Sequence, residues 1–427
     1  MDTSITLTDQ QNQAVEMALA HGVSILTGGP GTGKTTTCRA IIDKLMLRGK
    51  RIGMCAPSGK AARRITESTD HPAYTIHTLL GAAFDIDSGG FYFKYGLEEQ
   101  LPYDFVIVDE TSMVSIDLMA SLMCATKERS QVLFVGDQDQ LPSVGPGAVL
   151  RDMLACGVIP HTELDIIHRN SGDIVKACHA IKHGNLYEPP DALDLDAGHN
   201  IRHIEVKSED RILEVIVDLV KERLPKYGFN PVWDIQVIAP LRERTRLSCE
   251  NLNAVLQDAL NPVKGRNDEP AADNTNGKRK VKFRVGDKVI NTKNTNSKEG
   301  EFIANGDIGE MTSEKGIRFF NPDRDAEIGD GKLDLLLAYA ITCHRFQGSE
   351  APVVIIPVHP SFGFFVDRSW IYTAISRAKV ICITVGYFSS IEKAIGRVGS
   401  NQRVTRLGEF IQTSKSEWEK EKIACQL

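Results

Sequence analysis

Residues 28–35 read G-G-P-G-T-G-K-T, a Gly-x-x-x-x-Gly-Lys-Thr pattern that opens at Gly28 and closes on Gly33, Lys34 and Thr35. An apolar run at 23–26 enters it and a helix-compatible run at 35–47 leaves it. These residue types bind phosphate. Glycines lack a Cβ, so successive backbone N–H groups can curl around an anion. The start of the following helix adds partial positive charge. The predicted cradle is Gly29, Pro30, Gly31, Thr32, Gly33, Lys34, Thr35 and Thr36, with Lys34 reaching β- and γ-phosphates and Thr35 offering its hydroxyl to Mg²⁺. The strand–loop–helix context argues against an ordinary glycine turn.

A second candidate lies at Asp109-Glu110, which end the apolar run 105–108. A buried strand has no reason to end in two carboxylates unless they act beyond the sheet edge. Asp109 is placed to hold Mg²⁺, and Glu110 to orient and deprotonate a water. A third apolar run, 132–135, exits into G-D-Q-D-Q-L-P. There Gln140 is a candidate γ-phosphate sensor, since its amide both donates and accepts.

The elements that must position these groups follow from the pattern. Residues 7–19 read as a helix with Thr8 as N-cap and Gln11 three residues on, as in a capping box. Gln11 could instead reach a nucleotide base; position alone favours the cap. The run 52–56 reads as a buried strand, and Pro57, Ser58 and Gly59 as a loop before a helix start with Lys60, Arg63 and Arg64. Loops at the C-terminal ends of parallel strands carry ligands, so this one could hold a phosphate backbone or be a solvated basic helix start. His77 among apolar neighbours reads by default as a structural histidine. Residues 84–95 alternate around Gly89-Gly90 and signal a hairpin carrying Phe91, Tyr92, Phe93 and Tyr95. Its aromatics would either pack on their own domain or stack on bases. Three buried strands with polar exits predict one RecA-like core over roughly residues 1–160. Beyond it, 211–223 and 252–260 read as helices and 234–239 as a strand. The tract 261–282 is polar and turn-rich, with a basic cluster at its end, and short strands broken by Gly-Asp turns follow it. They suggest a small β-barrel inserted in a second core. Residues 335–340 return to apolar α/β character, and 414–422 read as an exposed helix. Arg377 on a helix is by default a surface charge.

With 427 residues the chain has room for two or three domains. No run of 18 apolar residues exists, so no membrane span is expected. The N-terminus lacks the basic and apolar regions of a secretory leader. Nine cysteines without a C-x-x-C argue against metal or redox use and for a reducing compartment. A net charge of −6 disfavours a general nucleic-acid coat protein but leaves room for a local groove.

Seven segments occur in one order: G-G-P-G-T-G-K-T, A-P-S-G-K-A-A, T-I-H-T-L, V-D-E-T-S-M, G-D-Q-D-Q-L-P-S-V-G-P-G, T-C-H-R-F-Q-G-S-E and Y-T-A-I-S-R-A-K. Together they resemble the superfamily 1B DNA helicases of the RecD-like and Dda-like type, over about residues 5–385. The resemblance implies an α/β fold of two RecA-like P-loop NTPase domains. Core 1 would span 1–160, with a strand-separating hairpin, the pin, at about 84–100. Core 2 would span 161–262 and 334–427, with an SH3-like β-barrel at 263–333. It implies ATP and Mg²⁺ as cofactors and 5′-to-3′ movement on single-stranded DNA with duplex unwinding. By residue it implies adenine contact for Gln11 and γ-phosphate contact for Arg169 and Arg377. Gln140 would couple, and Gly348 and Glu350 would link nucleotide to DNA. Pro57, Ser58, Lys60, His77, Phe91, Thr342 and His344 would meet DNA. Arg345-Phe346 depart from the Lys-Ser of relatives, and the long N-terminal extension of larger relatives is not seen, as in phage helicases.

Expected partners are single-stranded DNA and its junctions with duplex, with a single-strand-binding protein or a replication or recombination factor. No membrane is expected, a monomer is expected, and the location is cytoplasmic, that of a bacterial host if phage-encoded. Two other readings stay open: a nucleotide-gated loader or remodeller that binds single strands without unwinding, and an RNA helicase. No spare carboxylate cluster supports a nuclease.

Overall fold

The structure is a computed structural model that describes residues 7–85, 90–165, 172–263, 271–274, 281–296, 302–320, 323–328, 333–399 and 403–424. The chain divides into two compact units, Met1–Arg169 with Gly399–Leu427, and Asn170–Val398.

In the first unit, six parallel strands form one sheet in the order Ala73–Thr75, Ile52–Ala56, Phe105–Val108, Gln131–Gly136, Val23–Gly28, His161–Leu164. The central strands are buried along nearly their whole length and mostly apolar, because both faces are covered. Successive side chains point to opposite faces. Leu26, Met54, Ala56, Ile107, Leu133 and Val135 pack with helices Asp9–Ala20, Lys34–Leu47 and Gly59–Thr69. Ile25, Cys55, Val106, Val108, Val132 and Phe134 pack on the other side, against Leu79, Leu122 and Met153. The register sets Cys55 beside Val108, Val108 beside Phe134, Thr27 beside Gly136 and Gly28 beside Leu164. The exits of these strands therefore share one sheet edge.

The hairpin is present as antiparallel strands Ala82–Asp85 and Gly90–Phe93, with residues 86–89 outside the described set. Phe93 and Tyr95 pack on the core of their own unit, while Tyr92 is 56% exposed.

In the second unit, five parallel strands lie in the order Ala340–Thr342, Ile235–Ala239, Ala351–Val358, Ala378–Gly386, Ile201–Glu205. Along the chain between Ile235–Ala239 and Ala340–Thr342 comes a separate antiparallel sheet: Arg324–Glu327, Gly316–Phe319, Ile308–Met311, Lys288–Asn291, Leu335–Leu337. Its centre holds Val289, Met311, Ile317 and Phe319, and a buried Asp307–Arg324 pair at 2.8 Å.

Three boundaries differ from expectation. The division between units falls after Arg169, not after residue 160. Leu335–Leu337 does not begin the second core, because it pairs with Lys288–Asn291 and completes the small sheet. Residues 399–427 do not complete the second core. They belong to the first unit, where Leu407 and Ile411 from the helix Leu407–Ala424 pack on its core.

Candidate nucleotide and nucleic-acid site

The strand Val23–Gly28 delivers the chain into the glycine turn, and the helix Lys34–Leu47 begins directly after Gly33. A Cβ on Gly28 would stand 2.6 Å from the Leu164 carbonyl oxygen and 2.8 Å from Thr32 Oγ1, so only glycine fits. Gly33 takes φ 88°, the left-handed region glycine enters without a Cβ clash. The helix has no side-chain N-cap and no acid in its first turn. Its leading N–H groups therefore lack the usual partner, which leaves donors for an anion. Thr32 Oγ1 donates to the Gly29 carbonyl at 2.9 Å, closing the turn on itself. Lys34 Nζ donates to the carbonyls of Gly28 and Gly29, the latter at 2.8 Å, so its ammonium lies at the loop. Thr35 and Thr36 are half-buried in the first helical turn.

Gln11 serves the first helix and the loop at once. Thr8 N donates to its Oε1 at 2.9 Å, and its own N donates to Thr8 Oγ1 at 3.3 Å, the predicted capping box. Its Nε2 lies against Gly33. Capping uses the oxygen, and the nitrogen end faces the P-loop.

Beside the loop, Asp109 N donates to the Cys55 carbonyl at 2.9 Å, and Glu110 N donates to Asp109 Oδ1 at 2.8 Å. Burial, and then the neighbouring Glu110 carboxylate, hold the Asp109 carboxyl above its usual range, while Arg64 and Lys34 pull it down. Glu110 is 5% exposed and sits at φ 52°, ψ 40°, uncommon for a residue with a side chain. Its Oε1 lies 3.5 Å from Arg64 Nη2. Strain and a buried charge at one residue are features that cluster at working sites. Gln140, 7% exposed, donates from Nε2 to Asp137 Oδ2 at 3.2 Å. Asp137 is itself 2% exposed and accepts from Asp139 N at 3.1 Å, so the exit after Gln131–Gly136 is a braced polar turn.

Of the nucleic-acid candidates in this unit, Pro57 and Ser58 leave the strand Ile52–Ala56 at the same sheet edge. Ser58 Oγ caps the helix Gly59–Thr69, accepting from Ala61 N at 3.2 Å, and Lys60 lies in its first turn. His77 is exposed and lies 5.9 Å from the Phe93 ring, so it is not the core histidine its neighbours suggest. Phe91 is on the hairpin's second strand.

In the second unit, Arg377 is not a surface charge. It is 3% exposed, and its guanidinium donates to the Ser349 carbonyl and to Ser376 Oγ, both at 3.4 Å. Burial pushes the Cys343 thiol up to about 12, and Arg377 draws it back. Thus Arg377 joins the segment holding Thr342, His344 and Gly348, whose φ is 71°. Glu350 pairs with Lys379 at 3.5 Å, and His344 is exposed. Arg169 lies outside the described residues. Sequence reading missed Arg242. It stands close enough to Arg345 that, after burial, its charge is the next cause holding the Arg345 guanidinium below its usual range. The signal was available: the strand Ile235–Ala239 exits into L-R-E-R-T-R.

Two parallel-sheet units, one with a P-loop and the Asp109-Glu110 pair at its edge, define the P-loop NTPase class. An AAA domain profile matches residues 6–204, and a UvrD-like helicase C-terminal domain profile matches 337–383. The chain is 34% identical over 399 residues to the ATP-dependent RecD2 DNA helicase of Deinococcus radiodurans, covering 92% of this chain and 50% of that one. It therefore spans half the length of that relative. It is 31% identical over 430 residues to the RecBCD enzyme subunit RecD of Mycolicibacterium smegmatis, covering 91% and 73%. A crystal structure of Pif1 helicase from Bacteroides in complex with ADP-AlF3 and ssDNA has the same fold, with TM-score 0.55, 20% identity and coverage of 97% and 98%. The chain belongs to the RecD family within superfamily 1B. No helix among the described residues is long and apolar enough to cross a membrane.

Proposed function

We propose that this chain is an ATP-dependent DNA helicase that moves 5′ to 3′ on single-stranded DNA and separates duplex ahead of it. The observation that carries the reading is the shared sheet edge. There an uncapped helix start in a glycine turn meets the Asp109-Glu110 pair and the braced Gln140 turn. The donor set at this edge, a Thr35 hydroxyl and a desolvated carboxylate beside a second one, fits a hard divalent cation. Thr35 and Asp109 would hold Mg²⁺, whose charge offsets that of the phosphate oxygens. The turn and Lys34 bind the phosphates, Gln11 Nε2 reads adenine, Glu110 takes the proton of the attacking water, and Gln140 senses the γ-phosphate. Arg377 and Arg169 supply positive charge to that phosphate, a contribution of order 10³–10⁵ in rate in comparable sites.

On the same reading Pro57, Ser58, Lys60, His77, Thr342 and His344 hold the DNA backbone. The hairpin with Phe91 is the strand-separating pin, and the small antiparallel sheet is an SH3-like module beside the DNA. Arg242 and Arg345 are natural additions, because Arg242 stands close enough to help lower the Arg345 guanidinium, and a phosphate beside them would offset that repulsion.

The test is displacement of a labelled strand from duplexes carrying either a 5′ or a 3′ single-stranded tail, with and without ATP. ATP-dependent displacement confined to the 5′ tail supports the reading. DNA-stimulated hydrolysis with no displacement from either would replace it with the loader or remodeller.

A further inference from the structure

Residues 141–147, which follow Gln140, form neither helix nor strand, yet Leu141 and Ser143 are 3% exposed. Such a segment must find partners for backbone groups that no ladder satisfies. One side is fastened within the loop's own neighbourhood: Ile116 N donates to the Pro146 carbonyl at 2.9 Å, and Cβ atoms on Gly145 and Gly147 would stand 2.7 and 2.9 Å from Ser115 and Ile116. The other side is fastened by one residue from the far end of the chain. Arg403 Nη2 donates to the Ser143 carbonyl at 2.6 Å. Its Nη1 donates to the carbonyls of Gly145 at 2.6 Å and Gly147 at 2.8 Å, and to Ser143 Oγ at 3.3 Å. A planar, permanently charged fork is the side chain best able to gather converging oxygens.

Arg403 is itself held. Its carbonyl accepts from Arg151 Nη2 at 2.9 Å, Thr405 Oγ1 donates to Asp152 Oδ2, and Gln412 Nε2 donates to the Cys156 carbonyl at 2.8 Å.

We propose that Arg403 is a positioning residue for the Gln140 turn, fixing that turn through the carbonyls of Ser143, Gly145 and Gly147. The inference deepens the proposed function, since it assumes that Gln140 serves ATP turnover. An arginine spanning three loop carbonyls determines where the loop starts, and the loop starts at Gln140.

The experiment compares wild type, Arg403→Ala and Arg403→Lys in the full chain. It measures steady-state ATPase with single-stranded DNA, and hydrogen exchange of peptides covering 141–147 and 28–36. The expected result for Arg403→Ala is about a tenfold fall in kcat, KM for ATP within about twofold, and faster exchange at 141–147 with 28–36 unchanged. Arg403→Lys, which keeps charge without the fork, should fall between. Unchanged kcat or unchanged exchange at 141–147 in the alanine variant overturns the inference. If Arg403→Ala also exposes 28–36, the lysine variant decides: an intermediate kcat supports the role and a wild-type kcat overturns it. A wild type without DNA-stimulated ATPase would instead sink the helicase reading, so the two failures are told apart.

Discussion

Gly33→Ala tests how closely the P-loop and the first helix are joined. Gly33 sits at φ 88°, ψ 21°, a conformation that costs a residue with a Cβ roughly 1–2 kcal/mol. The new Cβ would also stand well under 3.0 Å from Gln11 Nε2. Gln11 cannot yield without opening the 2.9 Å bond from Thr8 N to its Oε1, part of a cap worth about 1 kcal/mol. The two effects together come to roughly 2–3 kcal/mol, or about 5–10 °C in Tm for a unit of this size. Thermal unfolding followed by calorimetry checks the total. The steric part has its own signature in a double-mutant cycle, because Gln11→Ala removes the obstruction. The double variant should then be about 1 kcal/mol more stable than the two single effects summed. Additivity within about 0.3 kcal/mol would refute the clash and leave only the backbone cost.

Other expectations bear on the chemistry. Glu110→Gln keeps the side chain's size but removes its basicity, so phosphate release should fall by about 10²–10⁴ while nucleotide affinity stays within a few-fold; turnover near the wild-type rate would move the base elsewhere. Ser58→Ala should cost about 1 kcal/mol through the lost cap, whereas Ser58→Asp keeps the cap and places negative charge at the strand exit. If Ser58→Asp melts like wild type but binds single-stranded DNA more weakly, Ser58 faces the backbone; unchanged binding leaves it a cap alone. Arg377→Ala should lower kcat by about 10³ or more with little change in KM, and lysine should not rescue it, since the fork that meets Ser349 is lost. A mere loss of affinity would assign Arg377 to binding.

The P-loop and the Asp109-Glu110 pair are legible in the sequence because their signals are local. A glycine turn between a strand and a helix, and two acids at the end of an apolar run, each fit in fewer than twenty residues. The two roles of Gln11 are not separable from position, because one amide has two ends and only geometry shows that the oxygen caps while the nitrogen faces Gly33. Arg377 reads as a surface charge because its burial depends on Ser349, 28 residues away. Leu335–Leu337 looks like the start of a core strand since apolar composition does not say which sheet a strand joins; the pairing with Lys288–Asn291 does. Residues 414–422 carry alternating charge and read as exposed, as 414–417 are, whereas Arg403, Thr405 and Leu407 before them meet residues some 250 positions earlier, a separation at which periodicity carries no information.

Lys34→Ala is the most direct test of the central claim, that phosphate held in the turn at residues 28–35 drives movement on DNA. ATP hydrolysis and strand displacement should drop to background, while affinity for single-stranded DNA at fixed salt stays within about threefold. Hydrolysis or displacement at wild-type rates in that variant would contradict the account.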